Sequence, residues 1–196
     1  SKIVKACVIN AGDGSHEHPT QTLCDLFTLR EEHGTLDGLR VVMCGDLRNG
    51  RTVHSLIFAL LRFDAQIIFV PGERLDLPDH IVDKITTEYN SPLEKIDPET
   101  FDLSDVIREM NKGGNIDSIY ATHGYPRQLD KCQSDASLRS EKTKRNLVLY
   151  MTRRQNERDR NFREQAAYPK VDASVMRRKS LSEAIVMHPL PRIDEI

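Results

Sequence analysis

Three observations predict the fold class, an open, mostly parallel, doubly wound α/β sheet flanked by helices, Rossmann-like. A strand, helix, strand succession spans residues 39–70. Both of its strands are near-continuous apolar runs, as expected of parallel strands covered on both faces. Later apolar runs at 147–152 and 184–187 each stop abruptly at a polar loop, repeating the same strand-to-loop pattern.

The elements follow in order. Ile3 to Ile9 (IVKACVI) is a short apolar run ending at the turn formers Asn10-Ala11-Gly12-Asp13-Gly14, which predicts a strand entering a loop. Pro19 and Thr20 open a segment with Leu23, Leu26, Phe27 and Leu29 at roughly helical spacing before Gly34, predicting a helix over 20–33. Leu39 to Cys44 (LRVVMC) reads as a central strand, 52–63 as a helix with Val53, Leu56, Ile57, Leu60 and Leu61 on its apolar face, and Ala65 to Val70 (AQIIFV) as the next strand. Such a βαβ unit implies a parallel pair with a right-handed crossover. Ile116 to Thr122 and Leu147 to Thr152 both have strand composition, and His123 to Arg145 between them reads as a loop insertion. A short helix over 171–178 and a strand over 184–187 precede His188-Pro189-Leu190-Pro191-Arg192.

At 196 residues the chain suits one compact domain with an extra piece at an end. A charged fraction of 30% with a net charge of -2 gives no basic excess of the kind a nucleic-acid surface selects. No apolar run approaches a membrane span or a secretory signal. Cys7, Cys24, Cys44 and Cys132 are scattered without a CxxC pair and are expected to be reduced, buried thiols of a cytoplasmic protein.

Four predicted strands run directly into loops carrying His, Gln or Arg: H-E-H-P-T-Q (16–21), G-D-L-R-N-G-R-T (45–52), T-R-R-Q-N-E-R (152–158) and H-P-L-P-R (188–192). In an open parallel sheet ligands bind outside the carboxyl ends of the strands, so one crevice could collect all four. Arg51 is expected at a helix start, where its guanidinium fork and free backbone N–H groups favour a carboxylate or phosphate; the alternative is a surface arginine bonded to a loop carbonyl. Arg153 and Gln155, two apart, would point to one side of an extended backbone; the alternative is a solvated charge run. His18, before a prolyl helix start, could donate to a carbonyl oxygen when neutral or stabilise an oxyanion when protonated. His16 and His18 form an H-x-H pair, but no cysteine or carboxylate cluster completes four ligands, so no metal is expected. The segment 45–52 also mimics the phosphate-cradling pattern G-x-x-x-x-G-K-[ST], with arginine in place of the lysine. Neither AQIIFV nor LVLYMT ends in the aspartate that would hold magnesium, which counts against a nucleotide binder.

The motifs V-I-N-A-G-D-G-S-x-x-H-P-T-Q, L-D-G-L-R-V-x-x-x-G-D-L-x-x-G-R-T-V-H-S, L-Y-M-T-R-x-Q-x-E-R and M-H-P-L-P-R-x-D-E-I occur in the order of the aspartate carbamoyltransferase family, which the chain resembles over nearly its whole length. The ornithine-using relatives carry H-C-L-P and an S-M-G loop instead. The resemblance implies transfer of a carbamoyl group from carbamoyl phosphate to the amine of L-aspartate, in pyrimidine biosynthesis, with no cofactor and no covalent enzyme intermediate. It implies that His18 contacts the carbamoyl oxygen and that Gln21 helps hold the carbamoyl group. It also implies that Arg51, Arg153 and Gln155 grip the two carboxylates of aspartate, and that Pro189 and Leu190 line the site with backbone.

By the same resemblance, residues 1–34 are the end of a carbamoyl-phosphate domain and its hinge helix, and 35–196 are the aspartate-binding domain. The family's amino-terminal domain, with its S-T-R-T phosphate loop and a lysine-bearing loop lent by a neighbouring subunit, is not in this sequence. The 196 residues are therefore expected to be inactive alone, and to form a homo-oligomer, a trimer by family resemblance, when complete. The competing expectation is a non-catalytic amino-acid-binding or assembly module of the same fold.

Overall fold

A computed structural model describes residues 6–14, 16–91, 93–95, 120–122, 147–155, 168–177, 181–193 and 195–196. The predicted insertion at 123–145, Cys132, and the start of the predicted strand at 116–119 lie outside the described residues.

The helix opening at Pro19 is α1 (Pro19–His33). Pro19 sets φ for the first turn, and Gly34 ends the helix in the left-handed region at φ 91°, its N–H donating to the Arg30 carbonyl. There follow β1 (Arg40–Gly45), α2 (Arg51–Leu61), β2 (Gln66–Pro71), α3 (Asp79–Glu88), β3 (Leu93–Lys95), β4 (Tyr120–Thr122), β5 (Leu147–Met151), α4 (Ala173–Met176) and β6 (Ile185–Met187).

Among the described residues one six-stranded sheet runs β3-β4-β2-β1-β5-β6. The β2, β1, β5 and β6 strands are mutually parallel, with Val42 opposite Ile68 on one side and Leu149 on the other. The short β4 and β3 add an antiparallel edge. Strand residues alternate between faces. Val41, Met43, Ile67, Phe69, Val148 and Tyr150 pack with Leu29 of α1 and with Leu56 and Leu60 of α2. On the other face Val42, Cys44, Ile68, Val70, Leu149 and Met151 pack with Val171, Val175 and Leu181. Two-sided burial is why these strands read as unbroken apolar runs.

Two expectations need correction. Of the strand predicted over 3–9, residues 1–5 lie outside the described residues and 6–9 carry no strand; Val8 and Ile9 are exposed, with no neighbouring strand to pair with among the described residues. Cys7 and Cys24 are exposed, and Cys44 alone of the described cysteines is buried, because it points inward from β1 whereas Cys24 sits on the outer side of α1. The sequence reading also passed over α3 and β3. Only Ile81 and Ile85 of α3 are buried, a two-residue stripe, and β3 is three residues long, too short for a period to show.

Candidate functional site

Strand order decides where a site can form. The chain leaves β1 for β2 on one side, while β5 and then β6 lie on the other, so the crevice beyond the carboxyl ends of β1 and β5 is a topological switch point. A cavity of about 200 Å³ lies there, lined by His18, Arg51, Thr52, Thr152, Arg153, Gln155, His188, Pro189, Leu190 and Pro191. Arg51 and Thr52 follow β1, Thr152 to Gln155 follow β5, and His188 to Pro191 follow β6. Among the described residues the lining holds two guanidinium groups and no carboxylate, the charge pattern suited to an anionic ligand.

A pair of buried polar hubs holds the β1 and β5 loops together. The Thr152 hydroxyl donates to the Cys44 carbonyl and accepts from the Asp46 N–H, both at 2.9 Å, prolonging the β1–β5 pairing past its last ladder bond. Asp46 is fully buried, and its carboxylate accepts from the backbone N–H of Asn49 at 2.9 Å and of Gln155 at 3.0 Å. The charge of Asp46 thereby fixes the backbone that carries Arg51 against the backbone that carries Arg153.

Tyr168 closes the same joint. Its hydroxyl accepts from the Asp46 N–H at 2.8 Å and donates to the Thr152 carbonyl, while burial raises its pKa and keeps it protonated. Its ring passes over Gly72, where a Cβ would meet ring atoms at 3.0 Å. Arg154 lies over the same ring, its guanidinium carbon 5.6 Å from the ring centroid, and does not line the cavity with its two neighbours.

His18 caps α1. Its Nδ1 accepts from the Gln21 N–H at 3.4 Å, which requires a lone pair on that nitrogen. A neutral ring with Nδ1 bare carries its proton on Nε2, leaving an N–H donor. Burial holds the His18 pKa below its ordinary value, and the nearby Arg51 lowers it further, so the neutral donor form is the one favoured near neutral pH. Ser55 of α2 braces the loop, accepting the His18 N–H at 2.8 Å while donating to the Glu17 carboxylate.

Arg51 is the first residue of α2 and lines the cavity, yet its Nη1 also donates to the Gly14 carbonyl at 3.3 Å. The ligand-binding and loop-bonding alternatives for this side chain are thus compatible. Gln21 does not line the cavity. Its Nε2 donates to Asp25 at 2.9 Å, and Asp25 accepts from Tyr150 as well. Pro189 and Leu190 lie at the rim, Leu190 in the left-handed region at φ 55°. The residues 156–158 of the T-R-R-Q-N-E-R loop lie outside the described residues.

Sequence reasoning missed Asp46, Thr152, Tyr168 and His188. Asp46, Thr152 and His188 stand inside motifs quoted above, G-D-L, Y-M-T-R and M-H-P-L-P-R, and their place at strand ends was the available signal; Tyr168 stands in none of them. Among the described residues no group of three His, Cys, Asp or Glu gathers as a metal would need. No helix among them is long and apolar enough to cross a membrane.

The model of the aspartate/ornithine carbamoyltransferase carbamoyl-P binding domain matches residues 1–31. The aspartate carbamoyltransferase catalytic subunit of Thermoplasma acidophilum is 39% identical over the whole chain, which covers 51% of that relative. The multifunctional protein pyr1-3 of Dictyostelium discoideum is 36% identical over the whole chain, which covers 7% of it. Among solved structures, the catalytic subunit of M. jannaschii aspartate transcarbamoylase superimposes with a TM-score of 0.60 at 32% identity, covering 99% of this chain and 50% of that one. The Trypanosoma cruzi aspartate transcarbamoylase in complex with carbamoyl phosphate gives 0.63 at 29% identity, covering 99% and 52%. The chain spans about half the length of the curated aspartate carbamoyltransferase subunits it matches.

Proposed function

Because this chain belongs to the aspartate/ornithine carbamoyltransferase family, we propose that it supplies the aspartate-binding half of an aspartate carbamoyltransferase, which transfers the carbamoyl group of carbamoyl phosphate to L-aspartate. The products are N-carbamoyl-L-aspartate and phosphate, in pyrimidine biosynthesis. The observation that carries this reading is the convergence of Arg51, Arg153 and Gln155 on one cavity, whose lining among the described residues contains no carboxylate. Aspartate presents two carboxylates, and two guanidinium forks with an amide beside them match that charge and geometry.

In this reading the aspartate amine attacks the carbamoyl carbon. The new C–N bond forms, negative charge gathers on the carbamoyl oxygen and then collapses back, and the bond to the phosphate oxygen breaks as the amine gives up its proton to the departing phosphate. His18 in its Nε2–H form donates to that oxygen, where the charge develops. Gln21 contributes by orientation. Its Nε2 is engaged by Asp25, so its Oε1 is the end left to accept from the carbamoyl NH2. Phosphate is already a good leaving group, so positioning and charge stabilisation suffice, without a cofactor.

We read residues 1–34 as the end of a carbamoyl-phosphate-binding domain and its hinge helix, and 35–196 as the aspartate-binding domain. Leu23 and Phe27, one turn apart on α1, are 66% and 57% exposed, which suits a helix that packs on a further domain. The complete protein, by this reading, is a cytoplasmic homo-oligomer, a trimer, with carbamoyl phosphate held mainly outside this chain. A nucleotide-cradling role for 45–52 is disfavoured, because the Asn49 N–H is already engaged by the Asp46 carboxylate, whose charge would repel a phosphate.

The test is a carbamoyl-transfer assay of the chain together with a carbamoyl-phosphate-binding domain, with aspartate and ornithine as competing acceptors. Aspartate should be carbamoylated, and Arg153→Ala should reduce kcat/KM for aspartate by roughly ten- to a hundredfold, the loss of one charge-assisted contact. Aspartate that binds without being carbamoylated would favour the non-catalytic module, and an unaltered Arg153→Ala protein would remove the site.

A further inference from the structure

The loop after β6 contains a buried imidazole and a buried carboxylate that the scheme above leaves unused. His188 and Glu195 have side chains 5% and 2% exposed, with Nε2 of the histidine 2.7 Å from Oε1 of the glutamate. The backbone N–H of Leu190 donates to Nδ1 of the same ring at 2.9 Å. A backbone N–H can only donate, so Nδ1 carries a lone pair and the neutral ring's proton is on Nε2. There it faces the Glu195 carboxylate, although the oxygen lies off the N–H axis and forms no well-aligned hydrogen bond. The opposite tautomer would set a ring N–H against the Leu190 N–H and a bare Nε2 against a carboxylate.

Glu195 is itself firmly placed. Both of its carboxylate oxygens accept from the Ile193 N–H at 3.1 Å, and its backbone carbonyl accepts from the Val171 N–H at 2.8 Å. The turn that opens at His188, clasped in this way, carries Pro189 and Leu190 to the rim of the cavity.

We propose that Glu195 is a positioning residue that selects the Nε2–H tautomer of His188, so that Nδ1 holds the Leu190 N–H and keeps the Pro189–Leu190 turn in place at the cavity. The functional half of this inference rests on the reading of the cavity as the amino-acid site; the tautomer itself does not. Among the described residues the other charges near the ring are Arg153 and Arg192, both of which oppose its protonation and so favour the neutral ring, within which Glu195 and the Leu190 N–H select the tautomer.

The test uses the intact protein labelled with 15N-histidine, whose ring nitrogens report tautomer directly, together with amide exchange at Leu190 and aspartate titration. His188 should show the Nε2–H pattern at neutral pH. Glu195→Gln, which keeps an oxygen but loses the charge, should mix the tautomers, speed Leu190 exchange by about tenfold, and weaken aspartate binding by a similar factor. Glu195→Asp, retaining charge, should restore part of each. A wild-type ring in the Nδ1–H form, or in rapid tautomer exchange, would overturn the proposal even should the Gln variant not fold. Mixed tautomers with unchanged aspartate affinity would overturn its functional half. An unaltered protein that shows the Nε2–H ring but binds no aspartate would instead strike at the reading of the cavity.

Discussion

The Tyr150 hydroxyl donates to the Asp25 carboxylate at 2.8 Å, joining helix α1 to strand β5 through a bond buried at both ends. Asp25 also accepts from Gln21, so three residues of the proposed site's supporting layer share one carboxylate. Burial raises the Asp25 pKa, and the bonds from Gln21 and Tyr150 oppose that rise.

Removing the phenol should therefore expose the burial penalty. Tyr150→Phe is expected to destabilise the protein by roughly 1–3 kcal/mol, the usual cost of leaving a buried charged acceptor one donor short. Because the folded pKa of Asp25 lies above the unfolded value, the folded state binds the proton more tightly. Its contribution is fully present below the unfolded pKa and is lost as pH rises through the folded pKa. The stability of the wild-type protein relative to Asp25→Asn should accordingly grow as pH falls from neutral toward about 4. Urea unfolding of both proteins across that range checks the sign, and a constant difference would refute it.

Asp46 should behave as a joint rather than as a ligand. Asp46→Asn keeps the volume but turns an NH2 toward one of two backbone donors, Asn49 or Gln155. The expected result is a rise of about tenfold or more in the aspartate Kd, from roughly 1.5–3 kcal/mol of lost charge-assisted bonding. Calorimetric titration measures it, and unaltered aspartate binding would show that the two loops hold their places without the carboxylate.

How much of this was legible in the sequence follows from how far apart the partners are. Strands β1, β2 and β5 announce themselves because burial on both faces leaves an unbroken apolar run. Arg51, Arg153 and Gln155 were legible because each sits directly past such a run, where an open parallel sheet puts its crevice. The residues that hold them were not, since each is a single polar side chain whose partner is remote: Asp46 meets Gln155 across 109 positions and Tyr168 across 122. Local spacing carries no information about such pairs. Leu190 could be named only as part of a motif; that His188 holds its N–H depends on a turn with φ 55° that composition does not reveal.

Acid should loosen the site before it loosens the sheet. His18 and His188 both have pKa values lowered in the folded protein, chiefly by burial. For a base with a depressed folded pKa, the unfolded chain takes up the proton first, so stability is full above the unfolded value of about 6.5 and falls as pH drops below it toward the folded value. The expected observation is a decline in stability beginning near pH 6.5, accompanied by loss of amide-exchange protection, relative to the intrinsic rate at each pH, at Leu190 and Gln21, whose N–H groups lose their acceptors when the rings protonate. His188→Gln should flatten part of the decline. A stability profile level through pH 5.5, with exchange protection at both amides unchanged, would contradict it.

Gly45 is the position where a single methyl group should do the most damage. It ends β1 at φ 107°, a conformation that L side chains rarely adopt, and a Cβ there would lie 2.6 Å from the Thr152 carbonyl oxygen and 2.7 Å from its hydroxyl, besides colliding with the Tyr168 hydroxyl. Two of these three atoms belong to a residue whose N–H and hydroxyl are both bonded to Cys44, and the third is held by Asp46, so none can retreat without breaking the joint. Gly45→Ala is expected to destabilise the protein by ~2–4 kcal/mol, backbone strain and overpacking together. It should also displace Thr152, the residue just before Arg153, and so weaken aspartate binding more than any surface change. Tyr168→Phe in the same chain separates the causes: it removes the hydroxyl collision but leaves the Thr152 collision and the positive φ. The double variant should therefore recover only a minor part of the loss. Thermal unfolding of the single and double variants decides between the outcomes. Near-complete recovery would mean that Tyr168 alone forbids a side chain at Gly45, and an unaffected Gly45→Ala protein would mean that the joint between β1 and β5 is far looser than these distances imply.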